Sequence, residues 1–343
     1  MPTGTGLDAQ LGLAAETVVG TAVTPTRFYE FTSENLAWKP TFAEPSGLRT
    51  GRKFKLAARV VQSRRTVDGS FAMEWATRGM GLLVAHMLGS TALPQQIAAS
   101  SAYKQIHVPG GMVGKSMTIQ VGRPEPTGVV RAHTYRGCKI KGWEFKLSSD
   151  SMATLSLDVD GWDEDLAAPL AVASYVTGTE VYDFRQGVLK LGGTAATASG
   201  EMTVTGGALV STVIKEISIK METPLATERY GIGQAGTKRE QLENNVPTIT
   251  GTFTAEYSKA ELYDLIKSNT TSALDFALTG SAIPTGAGNN NQLSFILPAI
   301  KVKEAAPAVE GPDVVQMTTS WEAYDDEANS PIQIKLVSAD TAL

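Results

Sequence analysis

One seven-residue pattern occurs twice in this chain, as GSFAMEW at Gly69 to Trp75 and as GTFTAEY at Gly251 to Tyr257. Glycine, a hydroxyl, Phe, two residues, Glu and a large aromatic alternate with the period of a strand. Each copy runs directly into a stretch whose apolar residues have helical spacing. A β-to-α unit present in both halves restricts the chain to a doubled fold, and doubled folds commonly serve assemblies with internal symmetry.

The chain has 343 residues, enough for two domains that each bury a core. With 33 Gly, 16 Pro and dense Ser and Thr between apolar runs, turns are frequent and the reading is mainly β with short flanking helices. The net charge of -5 argues against holding nucleic acid by counterion release, though not against letting it slide past. A single cysteine, Cys138, leaves no disulfide framework and no multi-cysteine zinc site. No apolar run reaches a membrane span, and no basic leader precedes the mildly apolar start, so neither a membrane segment nor a secretory signal is expected.

Residues 1–27, rich in Gly, Thr, Ala and Pro, read as an extended arm. A first β domain is expected over 28–165, with a helix near 78–89 closed by Gly89. A linker at 166–180 leads to a second β domain over 181–343 with a helix near 259–269, opened by a capping box from Ser258 and Glu261. Phe71, Trp75, Phe253 and Tyr257 are the expected core of the repeated motif. The parallel extends further, setting Ile140 and Lys141 against Ile300 and Lys301, and Asp160 and Trp162 against Glu322 and Tyr324. Duplication accounts for the recurring order of motif, helix, long loop and closing strand; chance alignment of two β-rich segments is the alternative.

Two glycine motifs look chemical without the context that chemistry needs. GIGQAG at Gly231 to Gly236 lacks the buried strand before it and the helix after it that place a pyrophosphate on a helix N-terminus. PGGMVGKS at Pro109 to Ser116 has Pro where a phosphate loop needs its first glycine, and proline has no N–H to offer. His86, His107 and His133 show no ligand spacing. No nucleophile, base and orienting acid come together, so neither catalysis, nor a metal, nor a cofactor is expected.

One charge cluster stands out between Pro40 and Arg65, with Arg49, Arg52, Lys53, Lys55, Arg59, Arg64 and Arg65 against the lone acid Glu44. Its counterpart, Ala226 to Asn245, mixes Arg229, Lys238 and Arg239 with Glu228, Glu240 and Glu243. Either these are solvated loops, or they order against an adjacent subunit through salt bridges.

The opening GLDAQLGLAAETVVGTAVTPTRFYEF, then SENLAWKP, a long loop, a strand ending in Glu and an aromatic, and a helix together resemble the tail tube (major tail) proteins of long-tailed bacteriophages. The resemblance covers most of the chain in order of elements, and is specific in the N-terminal segment and the strand-to-helix unit. It implies a β-sandwich or barrel flanked by a helix, assembled into stacked rings that conduct DNA in the virion tail. Partners implied are further copies of the chain, a tape measure protein and the tail terminator and tip proteins. Ring stacking would fall on the arm, on Thr41 to Val67 and on Ala226 to Asn245, with Arg49, Arg52, Lys53, Lys55, Arg59, Arg229, Lys238, Arg239 and Glu240 as candidate contacts. Two tube-like halves suggest three chains in a pseudo-sixfold ring, with six chains as the alternative. A wall that DNA must pass should repel phosphate over a Debye length of about 8 Å. Glu74, Asp158, Asp160, Glu256 and Glu322 are the candidates for it, or else ordinary solvent-facing strand residues. The competing function is a β-sandwich binding module, such as a carbohydrate-recognising adhesin, which would want aromatic clusters where these loops carry charge.

Overall fold

A computed structural model of the protein describes residues 5–126, 128–210, 212–257, 261–309 and 311–343, apart from the side chain at 261. The expected capping box of Ser258 and Glu261 lies outside them. Strands dominate. Those that position the rest are β1 (Gln10–Ala15), β2 (Ala37–Ala43), β3 (Val61–Glu74), β4 (Tyr103–His107), β5 (Met117–Pro124), β6 (Val130–Ser148) and β7 (Thr154–Gly161) in the first half. The second half supplies β8 (Ile214–Glu222), β9 (Thr248–Glu256), β10 (Ser272–Ala282), β11 (Asn290–Ala308), β12 (Gln316–Ala323) and β13 (Gln333–Ser338). The helices are α1 (Gly81–Leu88) and α2 (Glu261–Lys267).

The central sheet is antiparallel throughout and crosses both halves. Its order is β2, β3, β7, the C-terminal part of β6, then β8, β9, β12 and the C-terminal part of β11. The two 19-residue strands β6 and β11 pass from this sheet into a second layer with their N-terminal parts. There β6 pairs with β5 and β5 with β1, while β11 pairs with β10 and with β13.

Both long strands make that passage with the same two irregularities. One bulge lies between Tyr135 and Cys138 opposite β5, and another between Leu297 and Ile300 opposite β10. A second pair lies at Ile140 to Gly142 opposite β7 and at Val302 to Glu304 opposite β12. A bulge bends its strand and raises the local twist, which is what a strand shared by two layers requires. The bulges also correct the correspondence expected from sequence: Ile140 is level with Val302, and Lys141 with Lys303. Asp160 remains level with Glu322, because Gly69 faces Val159 as Gly251 faces Trp321.

The motif glycines are fixed by close approach. A Cβ at Gly251 would lie 2.2 Å from the Trp321 ring, and one at Gly69, where φ is +152°, would lie 2.6 Å from the Asn35 carbonyl oxygen. Phe71, Trp75 and Phe253 are buried, but Tyr257 is 37% exposed, so it does not belong to the core. The core is shared by the halves: Phe145 lies 4.8 Å from Phe295 and 5.8 Å from Phe276 between ring centroids, and Trp75 meets both Phe145 and Phe295 at 5.8 Å. Such aromatic pairs add about 0.5–1.5 kcal/mol each beyond area burial.

The arm expected over residues 1–27 is corrected. Leu11 and Leu13 are buried in β1, which pairs with β5 on one side and with Arg27–Tyr29 on the other. Gly12 is held by close approach, since a Cβ there would lie 2.7 Å from the Phe28 ring and 2.8 Å from Pro25.

Candidate functional site

The polar face of the central sheet carries four of the five candidate wall acids. Glu74 and Asp158 are exposed, Glu256 pairs with Lys215 at 2.8 Å, and Glu322 pairs with Lys303 at 3.3 Å and accepts the Tyr324 hydroxyl at 2.7 Å. Around them the face is balanced rather than acidic. Lys39 and Lys141 reach the two Asp68 oxygens at 2.7 and 2.6 Å, Lys146 meets Glu216 at 3.0 Å, and Lys220 meets Glu222 at 2.6 Å. Burial pushes the Asp68 carboxyl up, but the hydrogen bonds from Lys141 and Lys39 outweigh it and hold the group below its ordinary range.

Asp160 is the correction. It is 4% exposed and sealed under the segment that links β8 to β9, so it cannot line an open face. The Lys238 ammonium, also buried, lies 2.7 Å from both Asp160 oxygens and donates to Thr66 Oγ1. Gln241 Nε2 adds bonds to Asp160 Oδ2 at 2.8 Å and to the Gly137 carbonyl at 3.1 Å, while its Oε1 accepts Trp162 Nε1–H at 3.0 Å. Burial raises the Asp160 carboxyl's pKa, with Lys238 opposing. Nearby, the Lys139 ammonium donates to Glu240 at 2.7 Å and to the carbonyls of Met112 and Gln241. Burial alone would raise Glu240; the bonds from Lys139 and the Gly114 N–H hold it below its ordinary range.

Lys238 and Glu240 are thus engaged within the chain. They fasten the second half's long loop onto the first half, across the seam where β8 pairs with β6 from Glu216 opposite Ser148 to Glu222 opposite Gly142. Arg229 is likewise engaged, donating to the Glu240 carbonyl. The loop of the first half behaves differently. Over 44–60, Lys55 pairs with Glu44 on the surface, and Arg49, Arg52, Lys53 and Arg59 have no ion-pair partner among the described residues.

Sequence reasoning missed Lys139, Gln241 and Asp163, the last of which accepts Trp38 Nε1–H at 3.0 Å and pairs with Arg65 and Arg136 at 3.1 Å. The one available signal was that Lys238 and Asp160 sit on polar segments of opposite halves. Chemically, the arrangement holds sheet edges and loops together, and the two outer edges, β2 and the end of β11, remain unpaired among the described residues. No helix among the described residues is long and apolar enough to cross a membrane.

A protein-family model described as phage tail tube protein matches residues 6–323 of the chain. No curated protein matches it.

Proposed function

The chain belongs to the phage tail tube protein family, and from that premise we propose that three copies close into a pseudo-sixfold ring, that rings stack into a tube, and that the tube conducts DNA. A structural tail component of the virion, self-assembling and meeting other tail proteins, is what the family itself implies. Tape measure, terminator and tip proteins are the specific partners proposed.

The observation that carries the reading is the seam. Inside one chain the last strand edge of the first four-strand unit, β6, pairs with the first edge of the second, β8. The matched bulges support reading the two units as copies of one fold. The same step taken again would bring the free β11 edge of one chain to the free β2 edge of the next, a heterologous contact that closes after a fixed number of steps.

The register follows from the seam. Glu222 faces Gly142, and their counterparts Lys39 and Glu304 carry opposite charge. Ile219 faces Phe145, and their counterparts are Leu36 and Pro307. Proline lacks an N–H, yet Leu36 asks for none: its carbonyl already accepts Arg123 and Tyr135, and its N–H donates to Glu34. Pro40 and Pro307 also blunt both edges against unspecific pairing.

Three copies of eight strands make a closed sheet of twenty-four. With strands about 4.8 Å apart and tilted by about 40°, its backbone radius is roughly 24 Å, leaving a lumen on the order of 35 Å across, enough for a double helix. Glu74, Asp158 and Glu256 would then face the lumen among paired lysines, a polar wall without a net basic patch to trap phosphate, while Glu322 would lie beside the junction between copies. Native mass spectrometry and negative-stain microscopy of the purified chain test the ring. Closed rings of three copies are expected; six copies, or a monomer at every concentration, would refute the reading.

A further inference from the structure

We propose that the basic loop over residues 44–60 of one copy seats on the acidic segment Glu322 to Glu327 of the adjacent copy, with Lys55 taking Glu322 as Lys238 takes Asp160 within the chain. The inference rests on the ring reading above and adds the contact that locks each junction.

The seat is already built once. The strand registers make 160–165, DGWDED, the counterpart of 322–327, EAYDDE, with Tyr324 level with Trp162 and Asp325 level with Asp163. In the first copy the acids are taken: Asp160 by Lys238, Asp163 by Arg65 and Arg136, Glu164 by His133 at 2.6 Å. In the second copy Glu322 has Lys303, while Asp325 and Asp326 accept only N–H groups of residues 327–329. Among the described residues no cation pairs with Asp325, Asp326 or Glu327.

The occupant is equally marked. Lys39 is the counterpart of Glu222, since they face Thr66 and Thr248 in matching positions, and Lys55 follows Lys39 by as many residues as Lys238 follows Glu222. Lys55 holds only Glu44, an exposed and solvent-screened pair that is readily exchanged. Arg49, Arg52, Lys53 and Arg59 are exposed or nearly so and unpaired among the described residues, and Leu48 and Phe54 stand fully in solvent beside them. A loop with surplus positive charge and uncovered apolar side chains meets a segment with surplus negative charge. The β2 to β11 junction would place the two on the same side, just as the β8 to β6 junction places Lys238 over Asp160.

The test uses the full chain and reads assembly against concentration by light scattering and microscopy. Lys55→Glu and Glu322→Lys are each expected to raise the concentration needed for rings about tenfold or more, the scale of a close charge pair across an interface. The double variant is expected to recover most of that loss. Arg52→Glu, in an exposed loop whose change cannot unfold the chain, should weaken assembly in the same direction, and added salt should weaken the wild type. Under oxidising conditions Lys55→Cys with Glu322→Cys should give disulfide-linked multimers. Wild-type rings accompanied by unchanged assembly of the single variants overturn the loop seat and leave the ring standing. A wild type that forms no ring overturns both.

Discussion

The two long loops have almost the same length between equivalent strand positions and opposite fates. The segment joining β8 to β9 is fastened to the other half by two buried ammonium groups, Lys238 and Lys139, whereas the segment joining β2 to β3 ends in open solvent. The difference is one of neighbours. The second loop finds the first half's acids within its own chain, and the first loop has no such half beside it within the chain. Loop composition alone therefore does not decide whether a loop's cations are paired; the acids placed across the seam do.

The largest effect that separates the loops is on stability. Lys238→Ala leaves Asp160 buried without its cation and should cost about 3–5 kcal/mol in urea denaturation of the unassembled chain. Lys55→Ala removes an exposed pair and should fall within about 0.5 kcal/mol of wild type. Equal effects would erase the distinction between a seated and a waiting loop.

Acid should act on one half first. All three histidines lie in the first half, and burial lowers His86, with Lys115 and Lys139 adding to it, and His107 to about 4 each. The folded state keeps both neutral while the unfolded chain protonates them near pH 6.5. Their stabilising contribution is complete above that pH and is lost as pH falls from 6.5 towards 4, by up to about 3 kcal/mol per residue. His86→Gln and His107→Gln should each flatten the dependence of the unfolding free energy on pH in that window. An unchanged slope in both would show that these rings are not held neutral.

How much of this was legible depended on range. Period-two alternation located β3 and β9, and helical spacing with Gly89 located α1, because those signals lie within a few residues. The strand β1 was read as an arm because Gly12 and the alanines dilute Leu11 and Leu13, whose burial depends on β5, a hundred residues away. Tyr257 has the parity of Trp75, and each follows the last residue of its strand, but only Trp75 is enclosed, by Phe145 and Phe295 from distant strands. Asp160 was placed on a solvent face correctly by parity and wrongly by exposure. Its lid comes from a loop 78 residues on, and no local pattern reports a buried ion pair at that separation.

A smaller effect tests whether the repeated motif is equivalent in both halves. Gly251→Ala drives a methyl into the Trp321 ring and the Ser218 carbonyl, and Gly69→Ala drives one into Asn35 and Leu36. Overpacking of this kind costs typically about 1–3 kcal/mol. Losses of similar size in thermal or urea unfolding would sharpen the equivalence, whereas a tolerated change at one site would mean that the two segments are packed differently there.

The smallest effect is at the aromatic that follows each acid. Trp162→Phe removes the N–H donor to the buried Gln241 Oε1 and leaves that oxygen unmet, which should cost about 1 kcal/mol or somewhat more in the unassembled chain. Tyr324→Phe removes a hydroxyl bonded to Glu322, which water can replace while no loop covers it, so the unassembled chain should change by only a few tenths. The comparison then reverses on assembly. Once the first loop of a neighbour covers Glu322, the Tyr324 hydroxyl sits where water is excluded, and its loss should raise the concentration needed for rings although the isolated chain barely notices. A Tyr324→Phe chain that assembles like wild type would mean that this aromatic stays open to solvent in the tube, and that the resemblance between the two seats ends at Glu322.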